Sequence, residues 1–257
     1  LPNRAIIFAS GASIKEGLPL GLSNYLEREV VFSINDNNKF FYSTVAMFGD
    51  WTAYRDRFEI YSKHPLSIGC YDTHIGRTLE GSLPCPKHDL LILLKGSGKY
   101  NGDEGLEQGL YSRILTGAFT LNLAIRLGFK QIFLLGFDNC EVNGSTHWYD
   151  QDKTAGQYTD YEGKPFTGVG KDINNNYKTS FYNNDDIRIN DLWEPFQVEF
   201  DKVKIYNVSL PSRITVFDKI GYYSFIKILN EVPVQVNQEE AQNEIRNLLQ
   251  PYNKNEN

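Results

Sequence analysis

The stretch YSRILTGAFTLNLAIRLGFKQIFLLGFD, residues 111–138, joins the most regular helical pattern of the chain to a short buried strand. Apolar side chains recur every three or four residues, which predicts a helix over residues 110–128 with Gly128 as its stop signal. The pattern is carried by Leu110, Ile114, Ala118, Leu121 and Ile125. The apolar run from Ile132 to Leu135 predicts a buried strand that delivers Asp138 to its carboxyl end. A helix that leads directly into a buried strand is typical of an α/β protein.

The same alternation of short apolar runs and helical segments extends along the rest of the chain. Further strands are predicted at residues 5–9, 29–34, 43–49, 66–70, 89–95 and 203–210. Further helices are predicted at residues 14–27, 189–200, 221–231 and 238–249. This order predicts a Rossmann-like α/β fold, with a mostly parallel sheet and helices on both of its faces. The length of 257 residues suits a single domain of this kind over residues 1–257.

One long segment, residues 150–188, departs from this pattern because it is polar and carries few aliphatic side chains. Loops of this length are commonly functional lids or disordered segments. Several Tyr and Phe residues argue against plain disorder, since disordered segments are poor in aromatic residues. We therefore expect a lid or insertion that orders over a ligand; the alternative is a variable surface excursion without a role.

Composition narrows the classes of function. The net charge is −6 and no long Lys or Arg block occurs, which argues against nucleic acid as a partner. The three cysteines, Cys70, Cys85 and Cys140, are widely separated, so a zinc site or a disulfide framework is not expected. This cysteine usage fits a reducing compartment and predicts a cytoplasmic location. No apolar run reaches the ~18 residues of a membrane span.

Polar residues follow almost every predicted strand. The clusters are Ser10-Gly11-Ala12-Ser13, Asn35-Asp36, Asp50, Lys95-Gly96 and Asp138. In open parallel sheets, ligands bind outside the carboxyl ends of the strands. Each cluster alone is compatible with an ordinary turn, but their shared placement predicts a common cleft.

The loop after the first predicted strand, FASGASIKEG, is a candidate anion site. Ser10, Gly11 and Ser13 are small, so backbone amides can approach a phosphate, and a following helix N-terminus adds positive potential. The loop matches neither the GxGxxG fingerprint nor a Walker A motif. The alternative is that Ser13 is simply a helix N-cap.

A second candidate phosphate site lies at the start of the helix in the opening stretch. Arg113 can donate paired hydrogen bonds to a phosphate, and Thr116 can donate from its hydroxyl and its backbone. Gly117 permits a phosphate to approach the backbone closely. A glycine inside a helix costs ~1 kcal/mol relative to alanine, which indicates that this position needs a small residue. The alternative is packing around a small residue, with Arg113 in a surface salt bridge.

The third constellation follows the strand that ends at Asp138. His147 can bind a phosphate or act as a general acid or base near neutral pH, and Asp138 and Asp50 are candidate catalytic carboxylates. The alternative for His147 is a structural hydrogen bond. Together these three residues could ligate a metal, but no spacing motif supports that, and no metal site is predicted.

Several of these motifs resemble those of the bacterial sialyltransferases of the Campylobacter type. GASIKE resembles their GPSLKE-type loop, and SRILTGAFTLNLAIRLGFKQIFLLGFD is similar to their RITSG…ALGYKEIYLSGID block. NGSTHWYD resembles NGSSYAFD, and NVSLPSRI is similar to a late segment containing CPNS. The motility accessory factors and the 6-hydroxymethylpterin diphosphokinases are related families that share GPSL and a GxD…H element, to which His147 is closer.

The resemblance implies a Rossmann-like fold that binds a nucleotide diphosphate or a CMP-sugar. Carried over, Ser10, Gly11 and Ser13 would lie by the nucleotide and Asn35 by its ribose or phosphate. Arg113, Thr116 and Gly117 would lie by the phosphate and the base. The chain departs from the sialyltransferase pattern because no His follows the lid, and because His147 occupies the place of one of the two tyrosines near the donor phosphate.

These observations lead us to expect a bacterial or phage glycosyltransferase that moves a sugar from a nucleotide-activated donor to a hydroxyl of a glycan or another acceptor. Tyr177 and Tyr182 of the lid would steady the phosphate, and no cofactor is expected. The catalytic base is open among four residues: Asp50, Asp138, Asp185 and Asp186.

Two alternatives stay open. One is a pterin diphosphokinase-like phosphoryl transferase that uses ATP and Mg²⁺, with Asp50 and Asp138 as metal ligands. The other is a catalytically silent protein that binds a nucleotide or a glycan. The sequence leaves the oligomeric state open, including a homo-oligomer.

Overall fold

The computed structural model describes most of the chain outside the predicted lid. The described residues are 1–49, 54, 57–71, 88–112, 115–140, 142, 143, 145, 147, 148 and 189–254. The predicted lid at residues 150–188, with Tyr177, Tyr182, Asp185 and Asp186, lies outside them, as do Asp50 and Arg113.

A nine-stranded sheet, parallel at every described pairing, forms the centre of the fold, in the order β6-β5-β4-β3-β2-β1-β7-β8-β9. The strands are β1 Arg4–Phe8, β2 Val30–Ile34, β3 Val45–Phe48, β4 Ser67–Tyr71, β5 Leu91–Ser97, β6 Leu110–Tyr111, β7 Gln131–Leu135, β8 Lys204–Asn207 and β9 Asp218–Lys219. The predicted α/β Rossmann-like fold is therefore confirmed.

Seven α-helices are present in the described part of the chain. They are α1 Ile14–Gly17, α2 Leu22–Leu26, α3 Phe58–Lys63, α4 Gly105–Gln108, α5 Thr116–Arg126, α6 Tyr222–Glu231 and α7 Gln238–Leu249. Short 3₁₀ turns include Leu18–Leu20, Asn35–Lys39, Gly102–Glu104, Ile189–Leu192, Glu194–Glu199 and Gln250–Tyr252. None of these described helices has the length and apolar character needed to cross a membrane.

The core lies on both faces of the sheet because side chains of a strand alternate between them. On β1, Ala5 and Ile7 join the cluster that packs under α5 and α7, whereas Ile6 and Phe8 join the cluster under α1, α2 and α6. Every residue of β1 is buried, as expected for a strand covered on both sides.

The direction of winding reverses at β1. Ile7 pairs with Phe32 of β2 on one side and with Leu134 of β7 on the other. The chain builds outward through β6 on the first side and then returns to place β7, β8 and β9 on the second. A crevice at the carboxyl ends of β1 and β7 is the usual ligand position in such sheets.

The predicted helix at residues 110–128 is wrong in its first turn. Leu110 and Tyr111 extend instead as β6 beside Gly96 and Ser97, and helix α5 begins at Thr116. The reason is tertiary: the side chain of Asn122 accepts a hydrogen bond from the backbone N–H of Tyr111 at 2.8 Å and so fixes this extended segment.

Two other predicted helices form in altered shape. Residues 14–27 split into α1, a 3₁₀ turn and α2, because Gly21 takes a left-handed conformation with φ of 77°. Residues 189–200 form the 3₁₀ turns Ile189–Leu192 and Glu194–Glu199, with a proline at the start of the second. Strand β9 was not predicted, because two residues are too few to produce a period.

Candidate functional site

A cavity of about 300 Å³ opens at the carboxyl ends of β1, β2 and β7. It is lined by Ala9, Ser10, Gly11, Ile34, Asn35, Leu115, Thr116, Gly117, Gly136, Phe137, Asp138, Asn139, His147 and Trp193. Seven of the predicted site residues therefore meet around one cavity: Ser10, Gly11, Asn35, Thr116, Gly117, Asp138 and His147. Ser13 lies outside this lining and is fully buried.

The loop after β1 crosses very close to the loop after β7. The backbone N–H of Gly11 donates to the carbonyl of Gly136 at 3.0 Å. A Cβ atom on Gly11 would lie 2.4 Å from that carbonyl oxygen and 2.6 Å from Asp138 Oδ2. Only glycine fits at this crossing, because the Gly136 carbonyl and the Asp138 carboxylate fill the space beside it. The approach of this loop to an anion stays a prediction.

Asp138 holds the loop after β1 in place. Its Oδ2 accepts a hydrogen bond from the backbone N–H of Ser13 at 2.8 Å, and its Oδ1 accepts one from the Ser13 hydroxyl at 2.6 Å. Ser13 stands at the N-cap position of α1, but its hydroxyl makes no capping bond. Because Asp138 is itself buried, this pair ties the ends of β1 and β7 together beneath the cavity.

The carboxylate of Asp138 affects the pKa values of two neighbouring groups, Glu16 and Cys140. Burial and, secondarily, the Asp138 carboxylate raise the pKa of Glu16. The same two causes, in the same order, raise the pKa of the Cys140 thiol. A phosphate entering the cavity would therefore need positive potential from other walls.

The N-terminus of α5 supplies one such wall. Thr116 is the first residue of this 11-residue helix, and Thr116 and Gly117 both line the cavity. The first turn of a helix leaves backbone N–H groups without intrahelical acceptors and carries partial positive charge. The predicted phosphate-binding role for Thr116 and Gly117 is compatible with this placement.

Gly117 also makes room for an aromatic floor. A Cβ atom there would lie 2.6 Å from the ring of Phe137 and 3.3 Å from that of Trp193. Gly49 fits equally closely, because a Cβ atom on it would lie 2.2 Å from Thr116 Oγ1. Sequence reasoning missed Phe137, Trp193 and Gly49; the helical glycine was a signal for close packing but could not name its partners.

His147 is placed by a backbone bridge to the loop after β1. It pairs with Gly11 in an isolated antiparallel bridge, and the next residue, Trp148, donates its backbone N–H to the carbonyl of Ser10 at 3.0 Å. His147 is 8% exposed, so its imidazole is largely buried where it meets the cavity. The sequence prediction that His147 faces the same cleft as Asp138 is consistent with this position.

Two asparagines complete the rim. Asn35, directly after β2, has φ of 55°, and Asn139, shortly after β7, has φ of 49°. Asparagine tolerates this left-handed region better than most residues, so each turn can expose backbone and amide groups to the cavity. Asn139 was not among the predicted site residues.

Metal-ligating residues do not gather in the described part of the chain. Among those residues no group of three or more His, Cys, Asp or Glu side chains is placed to hold an ion. Both oxygens of Asp138 already accept hydrogen bonds from Ser13. Asp50, the other predicted candidate, lies outside the described residues.

The parallel sheet and its switch point define a Rossmann-like α/β protein, and the cavity lies at the carboxyl ends of the strands, where proteins of this class bind their ligands. Neither protein-family models nor curated protein sequences match this chain.

Solved structures give two likenesses. The Maf glycosyltransferase from Magnetospirillum magneticum AMB-1 shares the fold with a TM-score of 0.56 at 13% identity, over 97% of this chain and 37% of that one. This chain thus spans little more than a third of that protein's length. A sialyltransferase, CST-II, solved in complex with CMP, matches at 17% identity with a TM-score of 0.44, over 85% of this chain and 86% of the other. Neither structure is a diphosphokinase, so that part of the resemblance has no support.

Proposed function

We propose that this chain is a glycosyltransferase that moves a sugar from a nucleotide-activated donor to a hydroxyl of a glycan or another acceptor. One observation carries the proposal: seven residues predicted from the sequence, five for nucleotide binding and Asp138 and His147 for catalysis, meet around a single cavity at the switch point of the sheet. The fold shared with a Maf glycosyltransferase supports it at the level of architecture.

Sugar transfer requires that the departing nucleotide phosphate be stabilised. In this proposal the amides of Thr116 and Gly117 at the start of α5 receive the phosphate, and His147, which lines the same cavity, donates to it. Arg113, three residues before α5 in the sequence, would add a paired hydrogen-bond donor. These groups could balance the phosphate charge without a metal, and we propose a metal-independent reaction.

The acceptor hydroxyl must also lose a proton to a base. The two hydrogen bonds from Ser13 occupy Asp138 in holding the loop after β1, and we assign it that structural task instead of the base. The base then comes from the remaining candidates, Asp50, Asp185 and Asp186, with Tyr177 and Tyr182 beside the phosphate.

A thermal-shift series with CMP, CDP, UDP, GDP and ATP, each with and without Mg²⁺, tests the nucleotide site. A ligand at 100 times its Kd stabilises the folded state by about 2.7 kcal/mol, which raises the melting temperature measurably. We expect a shift with a pyrimidine nucleotide, independent of Mg²⁺. No shift with any of the five would contradict the proposal.

Variants locate the site. Arg113→Ala is expected to weaken nucleotide binding at least tenfold, since an arginine–phosphate pair is charge-assisted. Arg28→Ala is the matched control, because Arg28 is exposed and precedes β2, at the opposite end of the sheet. Equal affinity of the two variants would remove Arg113 from the site.

A catalytically silent binding protein would show the same shifts. Release of free nucleotide from a nucleotide sugar, with and without added glycans, separates the two cases. Turnover supports the transferase, whereas binding without turnover supports the silent protein. No observation on the described residues favours the diphosphokinase.

A further inference from the structure

Trp148 anchors the wall of the cavity that carries His147. Its ring meets Phe40 edge-on at 5.2 Å between centroids and Phe41 at 5.4 Å. Phe41 in turn packs edge-on against Phe8, the last residue of β1, at 4.9 Å. The ring is therefore fixed to the end of the central strand through an aromatic cluster.

The indole of Trp148 also makes a directional bond. Its Nε1–H donates to Asn37 Oδ1 at 3.0 Å. The backbone N–H of Trp148 donates to Ser10, beside the Gly11–His147 bridge. Ring packing alone permits several ring orientations, but a hydrogen bond at each end permits far fewer.

Asn37 is the group that completes this arrangement. It is fully buried, and its Nδ2 donates to the carbonyls of Phe8 at 3.3 Å and Ile34 at 3.2 Å. Those carbonyls end β1 and β2, and Ile34 is followed by Asn35 on the cavity rim. One amide therefore connects the ends of two strands to the segment that bears His147.

We propose that Asn37 and Trp148 are positioning residues that fix His147 against the loop after β1. This inference rests on the proposed function for its consequence, since a fixed His147 would present its imidazole to the nucleotide phosphate. Phenylalanine at position 148 would keep an aromatic ring beside Phe40 and Phe41, although a smaller one, and would remove the bond to Asn37. The His147 readouts and the matched control therefore have to separate the lost bond from the lost ring volume.

Trp148→Phe tests this role with two readouts. The first is the set of His147 imidazole resonances in NMR spectra without nucleotide, which we expect to shift and broaden as the ring samples more orientations. The second is affinity for CMP and for UDP, which we expect to fall roughly threefold to tenfold, the effect of one neutral hydrogen bond. The melting temperature should fall modestly, because the smaller ring packs less closely and the buried Asn37 Oδ1 loses its donor.

Tyr25→Phe is the matched control. Tyr25 packs at the edge of the same core, and its Oη accepts a hydrogen bond from Asn230 Nδ2 at 3.1 Å. The substitution removes this hydrogen-bonded atom and keeps the ring. That bond connects α2 with α6 and does not contact the cavity lining. The control should leave His147 and both affinities unchanged.

A double-mutant cycle shows whether Trp148 acts through His147. In a His147→Ala background, Trp148→Phe should no longer weaken CMP or UDP binding. An equal loss in both backgrounds, or unshifted His147 resonances, would overturn the inference. If neither nucleotide binds the unaltered chain, the proposed function fails, while the NMR readout still decides the positioning role.

The unaltered chain offers a check without substitution. A bonded indole N–H exchanges with solvent only when its hydrogen bond opens. We expect slow exchange at the Trp148 indole, and rapid exchange there would contradict the bond to Asn37.

Discussion

At the scale of single residues, the pair Asp138 and Ser13 shows how a carboxylate in a candidate active site can serve structure. Asp138 lines the cavity, but each of its two carboxylate oxygens accepts a hydrogen bond from Ser13. Hydrogen bonds to a buried carboxylate are stronger than neutral ones, so the pair fixes the loop rather than merely contacting it.

Asp138→Asn should destabilise the fold by about 2–4 kcal/mol, because an amide nitrogen would face one of the two Ser13 donors in a buried site. Ser13→Ala should cost less, since the backbone N–H of Ser13 still donates. Urea unfolding of both single variants and of the double variant measures the coupling. We expect the double variant to lose less stability than the sum of the single losses.

The same variants separate the two roles of Asp138. If the carboxylate only holds the loop, Ser13→Ala reproduces part of the loss in nucleotide affinity seen for Asp138→Asn. A general base would instead give Asp138→Asn normal affinity and no turnover, and Ser13→Ala normal turnover. The second pattern would contradict the structural assignment.

Gly117→Ala places a methyl group against the aromatic floor formed by Phe137 and Trp193. Alanine is the better helix former by ~1 kcal/mol, but its methyl group would lie 2.6 Å from the Phe137 ring, and overpacking costs ~1–3 kcal/mol. We expect net destabilisation and weaker nucleotide binding, measured by melting temperature and titration. Gly98→Ala is the control, because a Cβ atom there would meet nothing within 4 Å. Equal behaviour of the two variants would mean that the floor can move.

At the scale of elements, the 3₁₀ turn Glu194–Glu199 is secured by a buried ion pair. Arg126, at the end of α5, pairs with Glu199, and Tyr100 donates to Glu199 Oε1 at 2.6 Å. The side chains of Arg126 and Glu199 are 7% and 3% exposed. This turn directly follows Trp193, so the pair also holds the floor of the cavity.

Removing one partner of a buried pair leaves an uncompensated charge, so Glu199→Gln should lower the free energy of unfolding by about 3–5 kcal/mol. Glu59→Gln breaks the exposed pair with Lys63 and should change it little. Chemical denaturation compares the two. A small effect of Glu199→Gln would show that Asp103, the other carboxylate bonded to Arg126, compensates.

The connection between α3 and β4 carries a pH-sensitive group, His64. Its Nδ1 lies 2.9 Å from the carbonyl oxygen of Leu66 and its Nε2 lies 3.0 Å from Ser43 Oγ. Burial lowers the pKa of His64, although the carbonyls of Leu66 and Ser43 partly oppose the shift. In the unfolded chain the pKa of His64 has its ordinary value of ~6.5. The unfolded chain therefore binds the proton more readily than the folded chain, in which the pKa is lower.

Stability linked to His64 is therefore complete above pH ~6.5 and is lost as the pH falls toward its lowered pKa. We expect unfolding free energy to decline between pH 7 and 5 more steeply for the unaltered chain than for His64→Gln. The two slopes should coincide at pH 8, where the imidazole is neutral in both states. Burial also lowers the pKa of His88, but this contribution is common to both proteins and cancels. Parallel profiles throughout would contradict the assignment.

Elements with a clear period were predictable, and elements defined by tertiary contacts were not. The runs that became β1 and β7 are apolar and bounded by small residues, so their positions follow from the sequence. The two-residue strand β6 depends on hydrogen bonds to β5 and on Asn122, which no local pattern encodes. Helix α5 begins at Thr116 and not at the predicted residue 110, because Leu110 and Tyr111 are held in this strand.

At the scale of the whole molecule, the cavity is assembled from distant parts of the chain. The residues after β1, β2 and β7 could be foreseen, because parallel strands bring their carboxyl ends together. Trp193 and Asn37 could not be foreseen, because their roles depend on residues far away in the sequence. Trp193 lies close to Gly117, 76 positions earlier, and Asn37 bonds to Trp148, 111 positions later. The sequence was therefore sufficient to predict where the cavity lies, but not to predict all the residues that line and support it.

Among the described residues, Asn253 and Lys254 cover the part of the β5 edge that β6 leaves unpaired. Strand β6 pairs with β5 only at Gly96 and Ser97. Nearer the start of β5, the backbone N–H of Leu93 donates to Asn253 Oδ1 at 2.9 Å, and its carbonyl accepts from the N–H of Lys254 at 2.8 Å. An uncovered strand edge is a template for pairing with another chain.

Removal of residues 251–257 should therefore lower the melting temperature and promote self-association, which size-exclusion chromatography with light scattering would detect. Helix α7 should persist, because its last hydrogen bond is donated by Gln250, which the truncation retains. Removal of residues 255–257 alone keeps both bonds to Leu93 and should behave as the full chain. If both truncated chains have the same melting temperature and the same degree of self-association, the edge of β5 does not need to be covered by this segment.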